Sequence, residues 1–416
     1  MDCLETINKE GVSIIIGARN EYPQIAMTIC NLMEDMHQSG ITKWEIILMD
    51  NGSTDETSRF FTHIRRKETG TAQEDSGRTA FVYGARGLVA EDRLRIFFDP
   101  VLSNVGTRNK GVLKARYENI IFSDAHQIVR PGTVYYAIET LIKNHGLVHV
   151  PISWMGASCD NPQAGYQYSY KVGEKIWGTW NKIKVSDEPF YIPICGHAFL
   201  ACRRRQFLKY RGYPLAQRVY GGGEPYLDTK YWMLGATSMM DPRGLVYHLS
   251  AGRGYQYDSH DNLHNMFLVS YILGGEKWAD RVLMTYLNKY TDGDVYKSLY
   301  AQAVRDGQED KNWLDAHRKL SFEQVIGVDK TKIVDSLSKE EQTALNETWW
   351  CKNCTKRGYS DPHVMRPWDT RNQKRHGTHR SLVAEFRLHR DDGGRVFIGN
   401  TELVTPQALE IANKYV

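Results

Sequence analysis

Short apolar runs alternate with amphipathic stretches through the first third of the chain. "GVSIIIGARNE" (Gly11 to Glu21) places a β-branched run, Val12 to Ile16, before a glycine, which predicts a buried strand. The following "QIAMTICNLMEDM" has Ile25, Ile29, Leu32 and Met36 at spacings of three and four, which predicts a helix. "WEIILMDNGSTDET" repeats the unit: strand Trp44 to Met49, polar turn Asp50 to Thr54, helix from about Asp55. Strand, helix, strand, helix implies a mostly parallel sheet with crossovers, and such sheets place ligands beyond the carboxyl ends of their strands.

Residues 67–93 break this rhythm and read as a loop insertion or weak hairpin. "RLRIFFDP" returns to strand, and "SNVGTRNKGVLKARYE" predicts a helix entered through Asn104 and Gly106. "IIFSDAHQIV" then carries an apolar run into Asp124 and His126. If strand geometry continues, these two side chains point the same way, since side chains repeat every two residues. The alternative is an aspartate capping a turn before Pro131 and a solvated histidine. From Ala157 to Pro193 the chain is rich in Tyr, Trp, Gly and Asn without a period, which fits a rim loop or a packed irregular segment. Helical patterns return in "NMFLVSYILGGEKWADRVLMTYLNKY" and "SKEEQTALNETWW". "SLVAEFRLHRDDGGRVFIGN" predicts a hairpin turning at Asp392 and Gly393.

With 416 residues, 41% hydrophobic and 25% charged, the chain is long enough for more than one domain or for one large domain with an appendage. We expect a first domain over residues 1–255, a helical extension over 256–345 and a basic region over 346–416. No apolar run approaches the roughly 20 residues that span a bilayer. The amino terminus lacks signal-peptide order. The seven cysteines have no framework spacing. Together these predict a cytoplasmic protein with free thiols, in the host cytoplasm if viral. "CKNC" (Cys351, Cys354) is half of a zinc pattern that His363, His376 or His379 would have to complete; free thiols are the alternative. The net charge of +4 is local in origin. Cys351 to Arg390 holds ten Lys or Arg against three Asp or Glu, a net +7, leaving −3 for the remainder. Such a tract suits a polyanion, as it also suits a solvated surface.

"VSIIIGARNE", "EIILMDNGSTDET", "NVGTRNKG" and "IIFSDAH" occur in the order and approximate spacing found in family 2 glycosyltransferases with the GT-A fold, which the chain resembles over roughly Val12 to Tyr290. Asp124-x-His126, "PICGHAFLACRRRQFLKYRGY", "GGGEPYLDTKYWMLG" and "GLVYHLSAGRG" narrow the likeness to the polypeptide N-acetylgalactosaminyltransferases. The resemblance implies an α/β, Rossmann-like sheet. It implies a divalent metal, manganese before magnesium, on Asp124, His126 and His248. It implies nucleotide-sugar contacts from Ala18, Arg19, Glu21, Asp50, Arg108, Gly196, His197 and Gly223. One carboxylate with two imidazoles suits a first-row ion, which would neutralise a diphosphate leaving group.

Where inverting relatives have two acidic residues, this chain has Glu224 and Pro225. Pro225 cannot take a proton. Either Glu224 is the base, or the motif binds as it does in retaining relatives, or Glu224 only favours a helix start. The implied function is transfer of a hexose or pentose from a nucleotide-diphospho-sugar, with UDP expected. The acceptor expected is a hydroxymethylated base in DNA of bacteriophage type, bound through residues 352–390, whose Tyr359 and Trp368 interleave with basic residues. A protein or cell-surface polymer is an alternative acceptor, and a sugar nucleotidyltransferase an alternative enzyme. The latter needs a Gly-rich loop that "GARNEYP" lacks. A non-catalytic module is a third reading, opposed by five polar groups in one constellation. No membrane span and no obligate protein partner are expected.

Overall fold

The computed structural model describes residues 2–65, 92–101, 103–144, 146–155, 166–168, 178–180, 188–249, 258–326, 388–390, 393–398 and 401–402. The chain begins with α1 (Cys3–Glu10), then β1 (Val12–Ala18), α2 (Gln24–Gln38), β2 (Trp44–Asp50), α3 (Glu56–Arg65), β3 (Leu94–Phe98), α4 (Asn104–Lys114) and β4 (Asn119–Ser123). It continues through β5 (Gln127–Val129), α5 (Thr133–Lys143), β6 (Gly146–His149), β7 (Ile152–Trp154), β8 (Tyr166–Tyr168), β9 (Gly178–Trp180), β10 (Phe190–Tyr191) and β11 (Phe199–Arg203). Next come α6 (Arg204–Lys209), α7 (Gly223–Met233), β12 (Thr237–Met240), β13 (Val246–His248) and the helices α8 (Ser259–Gly274), α9 (Glu276–Lys289), α10 (Gly293–His317) and α11 (Phe322–Ile326). The last described strands are β14 (Leu388–Arg390), β15 (Val396–Ile398) and β16 (Thr401–Glu402).

Eight strands form one sheet in the order β10-β12-β6-β11-β4-β1-β2-β3. β1 runs parallel to β2 and β4, β2 to β3, and β6 to β12, whereas β11 is antiparallel to both its neighbours and β10 to β12. The expected α/β, mostly parallel architecture is therefore found. Its apolar runs are continuous because both faces are covered. Ile14, Ile16, Ile46 and Leu48 enter a core with residues of α2 and α5, while Ile15, Ile47 and Phe122 enter a second core with residues of α7, α8 and α9.

α4 lies so close to β1 that a Cβ on Gly111 would come within 2.4 Å of Ile15. That approach sets the amino end of α4 at the carboxyl edge of the sheet. The helix starts at Asn104, where its pattern suggests, because Ser103 caps it by accepting from the Gly106 N–H at 3.0 Å, and it stops at Lys114. Gly275, at φ 76°, separates α8 from α9 within the expected helical stretch. The hairpin at residues 388–398 forms as β14 and β15. α1 was not anticipated, and the 25-residue α10 lies within the expected helical extension at residues that no quoted helical pattern covered. No described helix is long and apolar enough to cross a membrane. Residues 66–91, the helical pattern near Glu340, "CKNC" and the basic tract up to residue 387 lie outside the described residues.

Candidate active site

Parallel register brings the predicted residues to one edge. Ala18 pairs with Asp50 across β1 and β2, and Ile16 with Ser123 across β1 and β4, so Arg19, Glu21, Asp50 and Asp124 emerge together. Residues 124–126 are not strand: the chain turns there, and β5 resumes at Gln127. Thr28 of α2 fixes the turn, its hydroxyl lying 2.9 Å from the Ala125 carbonyl and 2.8 Å from that of Gln127. β13 pairs with β5 so that His248 faces Gln127, and the Leu249 N–H donates to the His126 carbonyl at 3.0 Å. Two histidines 122 positions apart are thus joined by backbone pairing.

His126 Nε2 lies 3.2 Å from His248 Nε2, which lies 3.3 Å from Asp124 Oδ2. Ligand atoms about 2.1 Å from one first-row ion at 90–109° are separated by about 3.0–3.4 Å, and both of these separations fall in that range, with all three ligand atoms within 4.8 Å of one another. All three are partly exposed, with Asp124 at 28%. Burial opposes the Asp124 charge, but the His248 hydrogen bond and the Arg108 guanidinium outweigh it and hold the carboxyl well below the usual range. His126 Nδ1 sits 2.9 Å from Glu21 Oε2, which orients the ring and leaves Nε2 facing the trio.

Arg108, on α4, is largely buried. Its Nη2 donates to Asp124 Oδ1 and to the His197 carbonyl, both at 3.0 Å. The His197 ring faces inward, away from that carbonyl's partner: Nδ1 meets the Tyr213 hydroxyl and Nε2 meets Asp228, each at 2.8 Å. Gly196 is buried beside it. Glu224 opens α7 and shares a small cavity with Arg108, His197, Asn104, Gln217 and Gly223. A side chain at Gly223 would meet Val105 at 2.7 Å, so glycine there lets α7 pack against α4.

Asp50 is buried, and its Oδ1 accepts from the Ser53 N–H at 2.9 Å, shaping the turn after β2. Arg19 Nη1 donates to the Asn51 carbonyl at 2.8 Å. Asn51 itself bonds to the Asp99 carbonyl and accepts from the Ser103 N–H, tying β2 to the loop before α4. The structure therefore groups Asp124, His126, His248, Glu21 and Arg108, puts Ala18, Arg19 and Asp50 at the neighbouring strand ends, and turns the His197 ring into the interior. Sequence reasoning missed Asp228, Tyr213, His149 and Asn51. The one available signal was Asp228 four residues after Glu224, on the same face of a helix.

Residues 13–70 match the family model described as glycosyl transferase family 2. Over those residues, which run from β1 into the segment after α3, the chain is similar to that family. No curated protein matches it. Among solved structures the chain is similar to GalNAc-T7 with UDP, GalNAc and Mn2+, at 17% identity and a TM-score of 0.49, over 74% of this chain and 58% of that one. The mannosyltransferase PcManGT of Pyrobaculum calidifontis, with GDP-Man and Mn2+, gives 14% identity and a TM-score of 0.39 over 80% of this chain and 82% of that one. S. aureus TarS 1-349 with UDP-GlcNAc gives 12% and 0.40 over 95% and 99%. This chain thus spans less than two thirds of the GalNAc-T7 chain.

Proposed function

We propose that the protein is a divalent-metal-dependent glycosyltransferase that moves a sugar from a nucleotide-diphospho-sugar to an acceptor hydroxyl. The observation that carries this reading is the convergence of Asp124, His126 and His248 at the carboxyl edge of the sheet, with their ligand atoms within 4.8 Å of one another. The cation, when bound, supplies positive charge against the diphosphate as the sugar bond breaks. Asp124, His126 and His248 hold it, and their donor set favours Mn2+ over Mg2+. Ala18, Arg19 and Asp50 form the base and ribose end of the donor site, for which the motif order supports uridine. Glu224 faces the same cavity as Arg108 and is the carboxylate available to the acceptor hydroxyl or the donor sugar.

The acceptor we propose is a hydroxymethylated base in DNA. Its support is the +7 charge of Cys351 to Arg390 against −3 elsewhere, with Tyr359 and Trp368 available for stacking. The deciding experiment is a panel of nucleotide sugars incubated with Mn2+ or with a chelator. Release of nucleoside diphosphate from one donor, only with the metal, is expected. Equal release in the chelator would remove the metal-dependent reading.

A further inference from the structure

Residues 217–222, which deliver Glu224 to the cavity, run between α6 and α7 without regular secondary structure. Their backbone groups therefore need partners from elsewhere. One set comes from the start of α4: the Asn104 N–H donates to the Val219 carbonyl at 3.1 Å, and the Ser103 hydroxyl to that of Gln217 at 3.3 Å. The other set comes from α8, through the one side chain of Asn265. Its Oδ1 accepts from the Arg218 N–H at 2.8 Å, and its Nδ2 lies 3.1 Å from the Arg218 carbonyl, 2.9 Å from that of Tyr220 and 3.3 Å from that of Gly221. Asp261, four positions earlier and so on the same face of α8, takes the Arg218 guanidinium at 3.3 Å.

Asn265 is completely buried. A carboxamide suits the place because one end accepts and the other donates twice. An N–H on one side and carbonyls on the other orient it. Gly221 and Gly222 follow at φ 104° and 77°. A Cβ on Gly221 would come within 2.3 Å of Asn262 Nδ2, and one on Gly222 within 3.1 Å of Val269. Both glycines let the loop lie against α8 before α7 opens with Gly223 and Glu224.

We propose that Asn265 is a positioning residue: by holding the backbone of Arg218 to Gly221 against α8, it sets where Glu224 stands in the cavity shared with Arg108. The role rests on the reading of Glu224 in the proposed function. It makes α8, in the helical extension, part of the frame of the candidate active site. Without the amide, the carbonyls of Arg218, Tyr220 and Gly221 lose their donor on α8, and Glu224 loses its fixed place.

The test uses the full chain and three measurements: Mn2+-dependent release of nucleoside diphosphate from a panel of UDP- and GDP-sugars, Mn2+ affinity by isothermal titration, and hydrogen–deuterium exchange over residues 217–224. Asn265→Asp keeps the shape and the acceptor but turns a second acceptor on the carbonyls. Its kcat should fall about 10- to 100-fold, the scale of a misplacement of about 1 Å. Its loop amides should exchange faster. Mn2+ affinity should stay at the wild-type value, because Asp124, His126 and His248 stand on other elements. Ser270→Ala removes from the same helix a buried hydroxyl that has no hydrogen-bond partner among the described residues, and should match wild type throughout. If Asn265→Asp does not fold, Asn265→Ser removes the amide without burying a charge. Wild-type kcat in the folded variant overturns the role, and so does a loss of Mn2+ affinity as large as the loss of kcat, which would mark Asn265 as a support of the fold at large. A wild-type protein that releases no nucleoside diphosphate from any of these donors overturns the proposed function itself, and the positioning role with it.

Discussion

Glu21 Oε2 and His126 Nδ1 lie 2.9 Å apart, which fixes the imidazole proton on Nδ1 and turns the Nε2 lone pair toward His248 and Asp124. Glu21 comes from the loop after β1 and His126 from the turn after β4, so two adjacent strand ends set one tautomer.

Glu21→Gln is nearly isosteric, but its amide can donate to Nδ1 and force the proton onto Nε2, where it points at the cation. Mn2+ affinity should fall about 10- to 100-fold. The melting temperature should change little, because the pair is partly exposed. Isothermal titration of wild type and variant with Mn2+ reads this, and equal affinities would sink the tautomer argument.

Asp124→Asn should abolish metal-dependent donor hydrolysis, and it should also cost stability. From sequence, a metal-site carboxylate looks dispensable to the core. In the structure it is the charged partner of Arg108, whose side chain is 9% exposed. Losing a hydrogen bond to a charged group costs about 1.5–3 kcal/mol. A thermal melt should therefore move down by several degrees, and the shift should exceed that of His248→Ala. A melt identical to wild type would mean that Arg108 finds another acceptor.

What was legible in the sequence follows from where apolar residues are contiguous. β1 and β2 are buried on both faces, so Val12 to Ile16 and Trp44 to Met49 announce themselves. α10 does not, because its buried positions are Ala303, Gly307 and Leu314, two of them small, leaving no broad apolar stripe. Gly307 lies beneath Leu268 and Ile272 of α8, a close approach that needs the absence of a side chain and gives no periodic signal. α1 buries only Ile7. In the site, Asp124, His126 and His248 were legible only as motifs in a familiar order. Local pattern could not reveal that Asp228, His149 and His197 meet, since each is a single polar residue inside or beside a buried run.

Lys230 is fully buried in α7, donating to the Gly212 carbonyl, with its ammonium 4.5 Å from the Tyr226 ring centre. Burial pushes its pKa down to about 7, against the opposing pull of Asp310. An unfolded lysine titrates near 10.4, so between these values the unfolded chain holds a proton that the folded chain lacks. Stability then rises with pH across that window. Lys230→Met should flatten the rise by up to about 1.4 kcal/mol per pH unit. Urea midpoints at pH 7, 8 and 9 measure it, and parallel pH profiles for the two proteins would refute the lysine's role.

The basic tract gives the last prediction. With −3 on the rest of the chain, attraction to a polyanion should reside in the +7 segment from Cys351 to Arg390. Changing Lys374, Arg375 and Arg380 together to Gln should weaken DNA binding and flatten its salt dependence by about 0.9 in log–log slope for each phosphate no longer neutralised. Donor hydrolysis without acceptor should survive, because these residues are remote in sequence from Asp124, His126, His248 and Glu224. Binding isotherms from about 50 to about 200 mM salt span the range over which counterion release weakens phosphate-driven affinity most visibly. A triple variant that keeps its DNA affinity but loses donor hydrolysis would assign the tract to the catalytic site, and the DNA acceptor would then have no physical support.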